Sequence, residues 1–527
     1  MEWFDNGWGL VLTVFLPLAG AIVLLAIPRT KEDALKGVAL VTSLATFAAG
    51  VALLGRFDFS RAGELQLGMD VPWIDAIGAR FHIGVDGISL PLVVLSTFIT
   101  LLVVLYSWDH WPEPHNPKLL LALVLILAVG MTGTFVALDL VLFFVFFEVV
   151  LLPMYFMIGI WGDRGIREVP VFGWKLEMRL YASLKFFVFT LFGSAFMLLG
   201  FLALYFRSGT ILPERTFDIV RLSELGAAGA FTGTFAFWVF FALFLGFAVK
   251  VPMWPLHTWL PDAHTAAPTV GSVILAAILL KLGTYAFVRI SIPILPQEAA
   301  NWAWLIGLLA VIGIIYGSLA CLAQTDMKRL IAYSSVGHMG FVMLGIATLT
   351  SIGINAAIIG MVAHGLITGL LFFLAGSMAH RYHTRDMGRL GGNMKLMPVM
   401  GVLLGFAAMA SLGLPALAGF WGEFMALMAS FDPLDGLDPG LFRGFMIAGA
   451  VGTVLTAGYM LWMLREVNFG EPADEWLGKE FHDVGTFEWL AWAPLVIATI
   501  ALGVYPKLVF GMTNDAVVRL VEQAFGG

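Results

Sequence analysis

GFAVKVPMWPLHTWLPDAH, residues Gly246–His264, follows an apolar run that starts at Thr234. The run ends on a cation, Lys250, and then Pro252, Pro255 and Pro261 come in quick succession. Proline has no N–H to donate and its ring clashes with the preceding turn, so the helix must break here. A charge at a broken helix end is costly in lipid and tolerable only where the backbone faces protein or water. The stretch therefore reads as a membrane helix interrupted for a purpose.

Composition agrees. Sixty per cent of the 527 residues are apolar and 12% are charged, with a mean hydropathy of +0.91. That is far too apolar for a soluble domain. Runs of roughly 20 apolar residues, each able to span a bilayer, fall at 9–27, 36–55, 89–108, 117–137, 139–160, 181–206, 234–254, 270–290, 303–323, 329–349, 354–378, 398–428, 443–464 and 488–508. The expected fold is an all-α polytopic membrane protein of about fourteen transmembrane helices. The whole chain, 1–527, reads as one integral domain: leading helices (1–110), a first repeat (117–290), a second repeat (303–466), and a trailing helix with its tail (488–527). The first run is not a cleavable signal, because Glu2 and Asp5 precede it and it has no basic start.

Whole chemistries drop out. The single cysteine, Cys321, cannot form a disulfide or hold an iron–sulfur cluster alone. No Gly-rich nucleotide loop or Walker sequence is present, so no cofactor is expected in this chain, and nothing suggests nucleic acid. Orientation follows from Lys and Arg between the spans. Sixteen fall in one set of alternate connections and nine in the other with the tail, six of those nine in two long connections. The basic set is expected in the cytoplasm or its equivalent, with both termini outside.

The opening stretch has a counterpart in ASLGLPALAGFWGEFMAL, Ala410–Leu427, where Pro415 and Gly419 interrupt an apolar run and Glu423 follows. Grouped as spans 4–8 and 9–13, the two broken spans are each the fourth of five. An odd group size turns the second group upside down, which is the pattern of an inverted-topology repeat with a transport site between interrupted helices. The competing reading is packing alone, since proline and glycine are common in membrane helices.

Four charges lie deep in the spans: Glu148, Lys250, Lys281 and Glu423. Each opposes insertion by about 2.5–3.5 kcal/mol, so together by something on the order of 10 kcal/mol. Residues of that cost are read as functional. Glu148 and Lys250 have the signs of a pair. Lys281 has no acid in its own span, and a lysine so placed can bind and release a proton. His338 and His364 lie at similar depth and would extend a polar relay; axial ligation of a haem and plain bonding to backbone carbonyls are the alternatives. His257, Asp262 and His264 follow the first break, either as a hydrated inlet or as caps of the next helix. Lys185 is read as snorkelling to the interface, Asp139 as an interfacial turn residue, and His380–Gly392 as a basic connection. Static salt bridges fixing helix register remain the bland alternative for the charges.

At these residues a resemblance emerges. FFEVVLLPMYFMIG (from Phe146), KVPMWPLHTWLPDAHTAAPTVGSVILAAILLKLGTY (from Lys250) and QTDMKRLIAYSSVGHMGFV (from Gln324) resemble the proton-translocating, antiporter-like membrane subunits of respiratory NADH:quinone oxidoreductase (complex I), a family that includes subunits of multi-subunit sodium/proton antiporters. Glu423, where relatives typically carry lysine, resembles the M (chain 4) branch, as does a chain that stops soon after its last span. The resemblance implies a Glu148–Lys250 pair, a central Lys281, linking His338 and His364, and an exit at Glu423. It also implies a hetero-oligomer with sister membrane subunits, flavin and iron–sulfur clusters in partners, quinone-linked proton translocation, and a bacterial inner membrane. The alternatives are an antiporter working without NADH oxidation, a membrane scaffold, and a solute permease. The connections 56–88 and 207–233 carry no readable role.

Overall fold

The computed structural model describes residues 4–168, 173 and 175–526; Glu2, whose charge entered the reading of the first run, lies outside them. The chain opens with α1 (Gly9–Ala26) and α2 (Glu32–Arg56), then a hairpin of β1 (Gln66–Ile74) and β2 (Ala79–Val85). Next come α3 (Leu90–Tyr106), α4 (Pro117–Val136) and α5 (Leu140–Trp161). A short hairpin of β3 (Ile166–Glu168) and β4 (Lys175–Glu177) leads into α6 (Met178–Ser208), and α7 (Ile219–Ala227) lies beyond it. The first broken helix is α8 (Gly233–Lys250) followed by α9 (Trp259–Ala266), after which α10 (Thr269–Ile294) runs through two π-turns. The second half is α11 (Pro296–Leu322), α12 (Met327–Ala347), α13 (Ser351–Tyr382), the broken pair α14 (Pro398–Ser411) and α15 (Ala418–Phe431), and α16 (Pro439–Val467). α17 (Thr486–Val504) and the amphipathic α18 (Lys507–Phe525) complete it.

Among the described residues, twelve helices are long and apolar enough to cross a membrane. They coincide with twelve of the expected runs; α3 is shorter, and the run 398–428 is divided into α14 and α15. The starts are set locally. Asn116, Asp139, Asp326, Thr350 and Asp438 each accept a backbone N–H at the head of a helix, satisfying donors that lipid cannot. Asp139 thus sits at an end as expected, although as a fully buried cap.

The connections gather on two opposite faces. On the basic face Arg385 holds Asp163 (2.6 Å), Asp326 (3.0 Å) and the Thr265 carbonyl (2.9 Å), joining the first and second groups of helices. Burial opposes the charge on Asp163, but the Gly165 amide and the Arg385 guanidinium outweigh it and hold the carboxyl below its ordinary range. Arg381 grips Glu488 with two nitrogens, pinning α17 to α13. The hairpin face holds what the sequence left unread. There β1–β2 packs on α7 through His82 and Asp218, 2.6 Å apart, and α18 packs on α7, α13 and α3.

Burial is uneven in a telling way. The central windows of α10 and α13 are 94% buried and those of α4 and α12 are 89% buried, against 39% for α2, α6, α16 and α17. The outer helices have the apolar surface that lipid or a neighbouring chain covers. The four inner ones are shielded by the protein itself.

Candidate functional site

Three of those four shielded helices carry the relay candidates. Lys281 lies on α10 and is fully buried. Its Nζ donates to the Ala276 carbonyl at 2.5 Å and to His364 Nδ1 at 2.7 Å. Ala276 belongs to the π-turn Leu275–Leu279, one turn before the lysine. A π-turn loosens the regular ladder and is a frequent companion of functional sites. Here its carbonyl takes an ammonium as a partner.

His364 on α13 and His338 on α12 have ring centroids 5.7 Å apart. His338 Nδ1–H donates to Glu423 Oε1 at 2.9 Å, and its Nε2 faces Ser411 Oγ at 3.0 Å. Both ring nitrogens of His338 are engaged by side chains, which leaves none for a haem iron and excludes the backbone-carbonyl reading for this residue. Between the rings lies a cavity of about 30 Å³ lined by His338, His364, Thr368, Ser411 and Glu423. That is room for a water molecule, which needs about 10–15 Å³ and two or more polar partners. His364 Nε2 and Glu423 Oε2 are the lining atoms that no protein group satisfies.

Local structure puts these groups in place. α14 ends at Ser411, so its last residue points a hydroxyl at His338. The break runs over Leu412–Leu417, with Gly413 (φ 79°) and Ala416 (φ 75°) in the left-handed region. Pro415 lies in it as expected, but Gly419 does not. Gly419 is in the first turn of α15, where a Cβ would meet the Ala410 carbonyl. It permits close packing of two half-helices and does not interrupt them.

The first break is built differently. Lys250 is the last residue of α8, buried, with Nζ 4.7 Å over the ring of Phe147. Its expected partner Glu148 accepts a hydrogen bond from Ser194 Oγ. Among the described residues no direct ion pair joins Glu148 to Lys250. Trp259 Nε1 donates to the Val249 carbonyl at 2.9 Å, satisfying an acceptor that the break frees. Asp262 lies inside α9 and caps nothing, contrary to one of the two readings; it pairs with Lys185 (2.8 Å) and Arg167 (2.5 Å). Lys185 therefore does not snorkel to water, because a carboxylate within reach binds it more strongly than the interface does. His257 packs edge-on against Tyr316, and His264 stacks on Phe372 at 4.5 Å.

With this geometry in view the comparisons are decisive. Residues 137–435 match the family described as NADH:quinone oxidoreductase/Mrp antiporter, transmembrane. A protein of Rhodobacter capsulatus named NADH-quinone oxidoreductase subunit M is 41% identical over 521 residues, covering 97% of this chain and 96% of its own. This chain belongs to the NADH:quinone oxidoreductase/Mrp antiporter family. A chain of respiratory complex I from Thermus thermophilus superposes with a TM-score of 0.83 at 28% identity, covering 98% of this chain and 99% of its own. A chain of the Mrp complex from Dietzia sp. DQ12-45-1b has a TM-score of 0.81 at 22% identity, covering 97% of each, and shows the shared fold.

Seen as a member of this family, the chain brings Lys281, His364, His338 and Glu423 into one thread and leaves Glu148 and Lys250 as a separate, open couple. Sequence reasoning missed Ser194 and Ser411, hydroxyls too common to stand out. It also missed Arg289, a cation near the end of an apolar run, whose charge was a signal in itself.

Proposed function

We propose that this chain is a proton-translocating membrane-arm subunit of an NADH:quinone oxidoreductase, without a redox centre of its own, that moves protons along the thread from Lys281 to Glu423. The relatives named NADH-quinone oxidoreductase subunit M and the likeness to a chain of respiratory complex I support the assignment. Flavin and iron–sulfur chemistry then belongs to partner subunits, and sister membrane chains cover the apolar flanks. The antiporter reading shares the family description, but the Mrp chain is a more distant relative, at 22% identity, than those named NADH-quinone oxidoreductase subunit M.

The single observation that carries the mechanism is the contact order Lys281–His364, cavity, His338–Glu423. An ammonium at Lys281 donates into His364 Nδ1, and Nε2–H on the far side of the same ring is free to give a proton toward the cavity. A water there hands it to Glu423 Oε2, while His338, itself fixed by Ser411, holds the carboxylate in place. Lys250 and Glu148 regulate supply: closing the couple stabilises a cation at Lys250 and lowers the chance of one at Lys281, thirty-one residues on. The helices divide into two inverted groups of five within one domain, with three leading helices and one trailing. We assign the basic face to the cytoplasm of a bacterial inner membrane and both termini to the other side.

The test uses the assembled complex in inverted membrane vesicles. Lys250→Ala and Glu148→Ala are each expected to abolish NADH-driven acidification while the complex still assembles. Normal pumping by either variant would remove the couple from the mechanism.

A further inference from the structure

A polar thread also runs from Lys281 straight toward the hairpin face, and nothing in the relay uses it. One turn along α10 is Tyr285, and one turn further is Arg289, about 12 Å from Lys281 at 1.5 Å per residue. Arg289 Nε donates to Tyr285 Oη at 3.0 Å and Nη2 donates to Asp86 Oδ1 at 2.6 Å. Both members of the ion pair are shielded, at 11% and 8% side-chain exposure. Beyond them a cavity of about 210 Å³ opens at the hairpin face, lined by Glu64, Asp86, Ser223, Arg289, Arg519 and Gln523. Water-sized space thus reaches within two helical turns of the central lysine. If this thread conducted, a proton on Lys281 would have a shorter way out than the lateral one through His364.

The chemistry of the thread says that it does not conduct. A proton wire needs groups that both accept and donate. Arginine presents N–H donors and no acceptor, and it does not deprotonate in proteins. Tyr285 accepts from Arg289 and donates its own proton to the Phe135 carbonyl at 2.9 Å, a backbone group that passes it no further. Asp86, on the cavity side, is committed too: the same oxygen accepts from the Ile88 and Ser89 amides at the head of α3. The guanidinium lies between Asp86 and Tyr285, so its positive charge faces the direction from which Lys281 would release a proton. Fixed cations of this kind bar protons from other membrane pores.

We propose that Arg289, seated on Asp86, is a proton block on the hairpin side of Lys281, and that it makes the lateral transfer to His364 the only productive one. Arg289 is not a relay residue; it sets where the relay can lead. The proposal rests on the reading of Lys281 as a carrier, and the test separates the two.

The assembled complex is reconstituted in sealed vesicles, and two quantities are read: the decay rate of an imposed pH gradient without NADH, and protons moved per NADH oxidised. Arg289→Gln replaces the cation with a group that donates and accepts. It is expected to speed the decay about tenfold, equivalent to ~1.4 kcal/mol of lost barrier, and to lower the proton ratio while NADH oxidation continues. Arg289→Lys, still charged and without an acceptor, is expected to stay tight. Adding Lys281→Ala to Arg289→Gln is expected to restore tightness. Should removal of the cation impair assembly, Asp86→Asn with Arg289→Gln leaves no stranded carboxylate and keeps a capping residue at the head of α3; it too is expected to leak. Assembled vesicles as tight as the parent in both variants would overturn the block, as would failure of both to assemble, which would mark the pair as structural only. Normal pumping by Lys281→Ala alone would instead overturn the carrier reading.

Discussion

The two interrupted helices look alike in sequence and behave differently in structure. At the first, Val251–Met253 are buried while Pro255 and Thr258 are exposed, Trp259 satisfies a freed carbonyl, and the charged residue comes before the break. At the second, Leu414, Pro415 and Ala416 are exposed and the charged residue comes after it, at Glu423 on the second turn of α15. Lys250 rests on an aromatic face with its acid held elsewhere by Ser194, whereas Glu423 is already bonded to His338. The first break thus carries an open couple, and the second a closed one. A pair that is apart can be brought together, and a pair that is together can be separated, so the two couples of the proposed relay are poised in opposite senses. The exposed turn also needs cover, because non-helical backbone is not tolerated against lipid, and a neighbouring subunit is the natural cover in a hetero-oligomer.

That contrast can be broken most severely at its centre. Lys281→Ala removes the lysine in contact with His364, and NADH-driven acidification by vesicles is expected to be lost altogether, with assembly intact. Next comes the closed couple: Glu423→Gln keeps shape and hydrogen-bonding capacity but cannot carry a negative charge, so pumping is expected to fall about a hundredfold or more, the range typical of removing a general acid–base group. Retained pumping in Glu423→Gln would show that the second couple is static. His338→Ala strands the Glu423 carboxylate in a buried site; thermal denaturation of the purified complex should report a loss of about 1–3 kcal/mol. Trp259→Phe tests the first break, since the Val249 carbonyl loses its donor; a destabilisation of about 1 kcal/mol is expected, with proton stoichiometry unchanged.

The smallest effect concerns pH at the basic face. Burial opposes a charge on His110, but the carboxylates of Glu488 and Asp109 outweigh it and raise its pKa. A raised value in the folded state means that the stabilisation is full below the ordinary imidazole pKa of about 6.5 and is lost as pH climbs through the folded value. His110→Gln should therefore flatten the upper part of the stability–pH profile and leave the lower offset constant. An unchanged profile would mean that His110 is not charged there.

Much of this was legible from the chain. The two breaks, the four deep charges and the two histidines are all visible because lipid makes each of them expensive, and expensive residues stand out against an apolar background. What stayed hidden is what depends on depth or on partners. Asp262 read equally as part of a hydrated inlet or as a cap, because a carboxylate near a helix start serves either, and only the fold brings Lys185 and Arg167 to it. Gly419 looked like a breaker because its role, close approach to Ala410, is a property of two segments at once. The hairpin β1–β2 was unread since an alternating stretch between long apolar runs carries a weak signal. Glu148 and Lys250 were expected in contact because opposite charges attract. A serine hydroxyl and a phenylalanine ring take their places here.

The wide turn at Leu275–Leu279 has one more consequence. Among the described residues the Ala276 carbonyl and the His364 ring hold Lys281, and no carboxylate pairs with it. In the proposed relay, a proton that departs from Lys281 leaves an amine as electrically silent as the helix around it. Proposed traffic through the heart of the molecule would therefore leave no orphaned negative ion behind.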